Sequence, residues 1–130
     1  MRHHHIGCAC KDIEKTADKL CKLFAAERGD TIYDPQQDAN LCMLTMPDGT
    51  FVELVSGRVV EGYLKKRMSY YHICYEVDGL ENAISSMGTN GAVVVSPPKP
   101  AVLFNGRRVA FIMTPMGLVE LLEAELSSKS

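Results

Sequence analysis

The apolar positions of this chain change period several times, and each change marks an element. Over residues 3–10 they alternate, with Ile6, Cys8 and Cys10 on one side and His5, Gly7 and Ala9 on the other. That is the pattern of a half-buried strand. After Asp12 the period lengthens, and Ile13, Ala17, Leu20 and Phe24 fall on one face of a helix. Asp12 is placed to cap that helix and Gly29 to end it. Alternation then returns near 31–34, 40–46 and 51–56, which predicts three strands. The stretch "SGRVVEGYLKKRM" that follows is polar and reads as a connector with at most a helical turn.

The second half repeats this order. Residues 70–77 read as a strand, and Asp78 with Glu81 three residues on is a capping-box pattern. Leu80, Ala83, Ile84 and Met87 supply one apolar helix face, with Gly88 and Gly91 at its end. Strands are expected near 92–95, 107–113 and 118–123, with "PPKPAVLFNG" as a long loop stiffened by prolines. The final "SSKS" is expected to fray.

The two halves are in register as well as in order. His5-Ile6 recurs 67 residues later as His72-Ile73, and at the same offset "FVELV" (51–55) meets "LVELL" (118–122). Glu53 therefore falls on Glu120, and a Pro and a Gly precede each Glu-bearing segment. The predicted division is a first βαβββ module over 1–57, a connector over 58–69, a second module over 70–126 and a tail over 127–130. The fold class is α+β, a mixed sheet with helices on one face.

Strand parity gives the repeat chemical content. Val52 and Leu54 share the greasy face with Cys8 and Cys10, which leaves Glu53 on the face of His5. Likewise Ile73, Tyr75 and Val77 oppose His72, Cys74 and Glu76, while Val119 and Leu121 oppose Leu118, Glu120 and Leu122. His5, Glu53, His72 and Glu120 thus lie on the face the helices do not cover. Each Glu is flanked there by apolar residues, where a carboxylate is costly unless paired or bound to a cation. Two imidazoles and two carboxylates are a ligand set for a divalent metal, and His and carboxylate donors suit Zn, Ni, Co, Mn or Fe alike.

Taken singly, each of the four has a commoner fate: a frayed end, a satisfied core histidine, an exposed strand glutamate. Matched spacing and matched face favour the metal site. The run His3-His4-His5 resembles an appended tag, but only His5 has a twin in the second half, so His3 and His4 keep the tag or surface reading.

Composition narrows the remaining classes. The chain has 130 residues, 46% of them hydrophobic, with a net charge of −2. That length can bury a core without staples. No basic excess suggests nucleic acid, and no apolar run suggests a membrane span. The first residues lack the apolar core of a signal peptide, so the expected location is cytoplasmic. Five cysteines at irregular spacing, without Cys-x-x-Cys, read as reduced thiols rather than a disulfide or zinc framework.

From "HHIGCACKDIEK" through "YYHICYEVDGLENAI" to "GRRVAFIMTPMGLVELLE", the chain resembles the vicinal oxygen chelate superfamily. The resemblance implies two βαβββ modules forming a cup-shaped, half-barrel sheet around a divalent metal. It also implies His5, Glu53, His72 and Glu120 as ligands, a small-molecule substrate and a homodimer. The look is nearest to the glyoxalase I and methylmalonyl-CoA epimerase branches, a lyase and an isomerase. "HICYEVDGLENAI" and "IYDPQQDANLCML" are similar to epimerase segments.

Epimerases of this kind place a catalytic Glu in the loop near "DPQQD". Here Gln36 or Gln37 stands there, and glutamine cannot act as a base. A second acidic ligand also departs from the extradiol dioxygenases.

The expected reaction is proton transfer next to a carbonyl, with Glu53 or Glu120 as the base. The alternative is a binding protein that holds an antibiotic-type small molecule in the same cup without turnover. Lys99, Arg107 and Arg108 are candidate contacts for an anionic group such as a CoA phosphate or a glutathione carboxylate. Phe104, Tyr33, Met43 and Met113 are candidates to line the cup or to fill a core, the core being favoured for the methionines, and Cys74 shares the face of His72.

Overall fold

A computed structural model describes residues 1–125, so the expected fraying of residues 127–130 lies outside the described residues. The chain forms two compact units, one of His4–Ile73 and one of Met1–His3 with Cys74 onward.

The unit His4–Ile73 holds most of β1 (Arg2–Ala9), then α1 (Ile13–Phe24), β2 (Glu27–Arg28), β3 (Ile32–Asp34), β4 (Ala39–Thr45) and β5 (Phe51–Gly57). A 3₁₀ turn over Arg58–Val60, α2 (Glu61–Lys65) and the start of β6 (Tyr70–Val77) follow. The strand order is β2-β4-β5-β1-β6, with β3 also on β4. β4 runs antiparallel to β5, and β5 parallel to β1 with Gly7 beside Glu53.

Asp12 caps α1 as expected, its Oδ1 accepting from the Lys15 backbone N–H at 3.1 Å. Losing that acceptor leaves an orphan helix N–H. Asp12→Ala should therefore lower unfolding free energy by about 1 kcal/mol, read as a shift in the urea midpoint at constant slope. The helix stops earlier than expected. Ala25 takes the left-handed conformation (φ 54°) and ends it at Phe24, which is exposed. Gly29 instead donates its N–H to the Met43 carbonyl at 2.8 Å, as part of the β2–β4 pairing region.

The inner face of α1 buries Ile13 and Ala17 against Cys42, Leu44 and Leu54, with Cys8, Leu20, Cys21 and Val52 around them. This fixes the parity of the unit: alternate residues of β1 and β5 go to the helix, so His5 and Glu53 go to the opposite face. Burial pushes the Cys8, Cys10 and Cys42 thiols up, which disfavours their thiolate forms.

The second unit holds the rest of β6, α3 (Leu80–Thr89), β7 (Val93–Pro100), a 3₁₀ turn over Val102–Phe104, β8 (Arg108–Thr114) and β9 (Gly117–Glu123). Its strand order is β6-β9-β8-β7, and β7–β8 and β8–β9 are antiparallel. With its antiparallel and parallel pairs and its helices, the chain has the α+β, mixed-sheet fold that the pattern predicts.

Two local expectations fail here. The capping box does not form: Gly79 is the N-cap without a side-chain bond. Asp78 instead accepts from Arg2, and Glu81 from Arg108. The prolines also do not make a loop. β7 continues through Pro97, Pro98 and Pro100, with register shifts on either side of Ser96. An edge strand tolerates missing N–H donors on its unpaired side, and β7 is at the edge. At the end of α3, Gly91 (φ 98°) lets Ala92 donate back to the Met87 carbonyl at 3.0 Å, a Schellman closure.

Candidate metal centre

The site begins with a gap in β1. Gly7 lies on the face of His5, and Glu53 is its neighbour across the parallel β1–β5 pair. A side chain at residue 7 would stand where the His72 imidazole stands. An ideal Cβ there meets the ring at 2.2 Å (Cε1), 2.5 Å (Nδ1) and 2.6 Å (Nε2). The missing side chain of Gly7 is the room into which β6 delivers His72. A glycine inside a strand often marks such close approach.

Three donor atoms converge as a result. His5 Nε2 is 3.1 Å from His72 Nε2, and Glu53 Oε1 is 3.4 Å from the first and 3.3 Å from the second. The His5 and His72 rings meet nearly perpendicular, at 77°. All three side chains are withdrawn from solvent, with residue exposures of 0% for His5, 1% for His72 and 4% for Glu53. The three form a group able to hold a metal ion. Bonds of about 2.1 Å to nitrogen and oxygen place neighbouring ligands ~3.0–3.4 Å apart, so the observed spacings fit a shared divalent ion. A buried carboxylate facing two imidazole nitrogens also has an electrostatic reason to share a cation.

The rings are held from behind. Tyr71 packs edge-on to His72 at 4.8 Å, and Tyr63 edge-on to Tyr71 at 5.1 Å. His5 Nδ1 lies 2.8 Å from His4 Nδ1, and His4 stacks on Phe51 at 5.6 Å. His4 is therefore half-buried and engaged with His5, which corrects its tag or surface reading. The exposed His3 packs edge-on to Tyr75 at 6.0 Å.

Glu120, in the second unit, is also buried, with 3% exposure, and pairs with Phe111 across β8–β9. Glu53 is opposite Met43 across β4–β5. The two glutamates thus occupy equivalent hairpins in the two halves. Cys74 is fully buried on β6.

The candidate substrate contacts are placed differently from the expectation. Arg108 is held by Glu123 and Glu81, which keep its guanidinium charged well above the ordinary range. Arg107 pairs with Glu76 and donates to the Glu123 carbonyl at 2.8 Å. Both arginines thus already meet carboxylates of this chain, because β8 and β9 place the acidic Glu123 beside them. Tyr33 is exposed, and its hydroxyl donates to Asp38 Oδ1 at 2.7 Å. Met113 is exposed too, so neither residue fills a core. Lys99 is exposed on edge strand β7, opposite Val109, and Phe104 is half-buried in the 3₁₀ turn. In the "DPQQD" turn, Asp34 is the organiser: its carboxylate accepts from the Gln36 backbone N–H at 2.9 Å and the Gln37 side-chain amide at 2.8 Å.

Sequence reasoning passed over Gly7 and misread His4. The signal for Gly7 was available, since it is a glycine inside a strand on the face of a proposed ligand. No sequence signal marked His4, because its neighbour's ring orientation is a tertiary fact.

Several known proteins are similar to this chain over most of its length. The ethylmalonyl-CoA/methylmalonyl-CoA epimerase of Cereibacter sphaeroides is 28% identical over 117 residues, spanning 85% of this chain and 87% of that protein. Methylmalonyl-CoA epimerase from Mycobacterium tuberculosis superposes with a TM-score of 0.83 at 18% identity, over 96% of this chain and 89% of that one. The Streptomyces coelicolor methylmalonyl-CoA epimerase, as a variant in complex with 2-nitronate-propionyl-CoA, gives 0.79 at 20% identity, over 97% and 99%. These two structural likenesses show the fold. The family profile spans residues 4–111, and the chain belongs to the glyoxalase/bleomycin resistance protein/dioxygenase superfamily.

Proposed function

We propose that this protein is a metal-dependent isomerase of the epimerase type, moving a proton at the carbon beside the carbonyl of an acyl-CoA thioester. The observation that carries it is the convergence of His5 Nε2, His72 Nε2 and Glu53 Oε1 at 3.1–3.4 Å in a buried setting. The similarity to an acyl-CoA epimerase over most of both chains supplies the substrate class. Glu120 completes the ligand set in this reading. Its support is its burial and its place in the second half equivalent to that of Glu53.

A divalent ion, when bound, supplies a Lewis acid that stabilises negative charge on the oxygens next to the reacting carbon. The chain supplies the rest. His5 and His72 present Nε2 lone pairs and hold position. Glu53 and Glu120 are the two groups that can accept and return a proton, and two carboxylates from opposite halves can serve opposite faces of a planar carbanion. Gln36 and Gln37 cannot take that role, and the Gln37 amide is engaged by Asp34. The homodimer belongs to this reading through the resemblance. No helix among the described residues is long and apolar enough to cross a membrane.

The test combines metal analysis with proton exchange. The purified protein is expected to carry about one divalent ion per chain and to exchange the C2 hydrogen of methylmalonyl-CoA in D2O, followed by NMR. The hemithioacetal of methylglyoxal and glutathione is the control for the glyoxalase branch. Tight binding of either compound with no exchange and no product would overturn the enzymatic reading in favour of sequestration.

A further inference from the structure

The metal reading requires His5 to present a bare Nε2, and a neutral imidazole then carries its only proton on Nδ1. That N–H needs an acceptor inside the protein, because His5 has no solvent exposure. The atom 2.8 Å from it is Nδ1 of His4, the preceding residue on the same strand. Two imidazoles can share one hydrogen bond only if one donates and the other accepts. We propose that His4 is a positioning residue for the metal centre: its Nδ1 lone pair accepts from His5 Nδ1–H and selects the His5 tautomer that binds a metal through Nε2.

Several features make His4 a built acceptor rather than a passing neighbour. Its ring lies near-parallel to Phe51, with an interplanar angle of 27° and 5.6 Å between centroids. Phe51 is itself the cross-strand partner of His5 in the parallel β1–β5 pair. One residue of β5 therefore backs the pair, and the two imidazoles meet near right angles, 80° apart. Accepting at Nδ1 leaves the single proton of His4 on Nε2. The opposite arrangement, with His4 Nδ1–H donating to His5 Nδ1, would put the His5 proton on Nε2, facing His72 and Glu53. That tautomer blocks the ligand position. Partners behind a metal-bound histidine fix its orientation and raise its basicity, and their loss typically costs 10–100-fold in metal affinity.

The inference rests on the metal-site reading, so the test separates the two. Zinc affinity is measured by chelator competition for the wild type and for His5→Ala, His4→Phe and His4→Asn, with circular dichroism as the check on folding. His4→Phe keeps an aromatic ring on Phe51 but has no acceptor. His4→Asn keeps an acceptor oxygen near the place of Nδ1.

The expected result is loss of tight binding in His5→Ala, about 10–100-fold weaker binding in His4→Phe, and recovery to within about 3-fold in His4→Asn. Unchanged affinity in His5→Ala would remove the metal reading itself. Loss in His5→Ala with wild-type affinity in His4→Phe would overturn the role of His4 alone. A measurement without variants decides the matter if one fails to fold. In the zinc-loaded, 15N-labelled wild type, a through-hydrogen-bond coupling should join His5 Nδ1 to His4 Nδ1. Its absence overturns the proposal.

Discussion

Gly7→Ala is expected to cost the protein the proposed metal site while leaving its secondary structure intact. The new Cβ would lie 2.2–2.6 Å from three atoms of the His72 ring, far inside van der Waals contact. The backbone cannot yield cheaply, since β1 is paired with β5 through His5, Ile6, Gly7, Cys8 and Ala9. The imidazole must move instead, and it is almost fully buried with Tyr71 packed against it. Overpacking of this kind costs about 1–3 kcal/mol, so the unfolding midpoint should fall. The effect on function is larger, because a displaced His72 removes one of three converging donors. Metal affinity should drop by about 100-fold or more, at least the loss seen when an outer partner is removed. Chelator competition reads the loss of affinity and urea unfolding the loss of stability. Wild-type metal affinity in Gly7→Ala would mean that His72 is not a ligand.

The second large effect concerns the two glutamates. In the two-carboxylate reading, Glu53→Gln and Glu120→Gln should each lower epimerisation by about 10²–10⁴-fold, the range for loss of a general acid or base. The amide keeps the shape and an oxygen donor, so metal content serves as the control for site integrity. The two variants should also differ in a stereochemical way. With one base removed, the remaining one can still exchange the hydrogen on its own face in D2O but cannot return a proton to the other. Each variant should then wash deuterium into one epimer of methylmalonyl-CoA without inverting it, and the two should prefer opposite epimers. If both variants epimerise at the wild-type rate, neither carboxylate is the base.

Much of this was legible from patterning. The β1–α1 start, the strands near 39–45 and 51–57 and the whole of β6 follow from alternation and from the capping residue Asp12. In β1, β4 and β5 one face is buried against α1, so their periodicity is imposed by burial itself. The failures are of another kind. Whether Asp78 caps α3 depends on Arg2, which competes for its carboxylate from 76 residues away. Whether three prolines break a strand depends on β7 being an edge, which is a property of the sheet order. Arg107 and Arg108 read as free cations because Glu76, Glu81 and Glu123 stand far from them in the chain.

The same division holds at the site. Alternation along β1 and β5 was enough to put His5 and Glu53 on the face away from α1, because side chains on a strand can take only two directions. The 67-residue echo was enough to nominate His72 and Glu120 as their counterparts. What the linear text could not contain was distance. That the two Nε2 atoms stand 3.1 Å apart and that a glycine makes the room for one ring both depend on where strands remote in sequence come to lie. Parity is a local property of an extended backbone; proximity is created only when the chain packs.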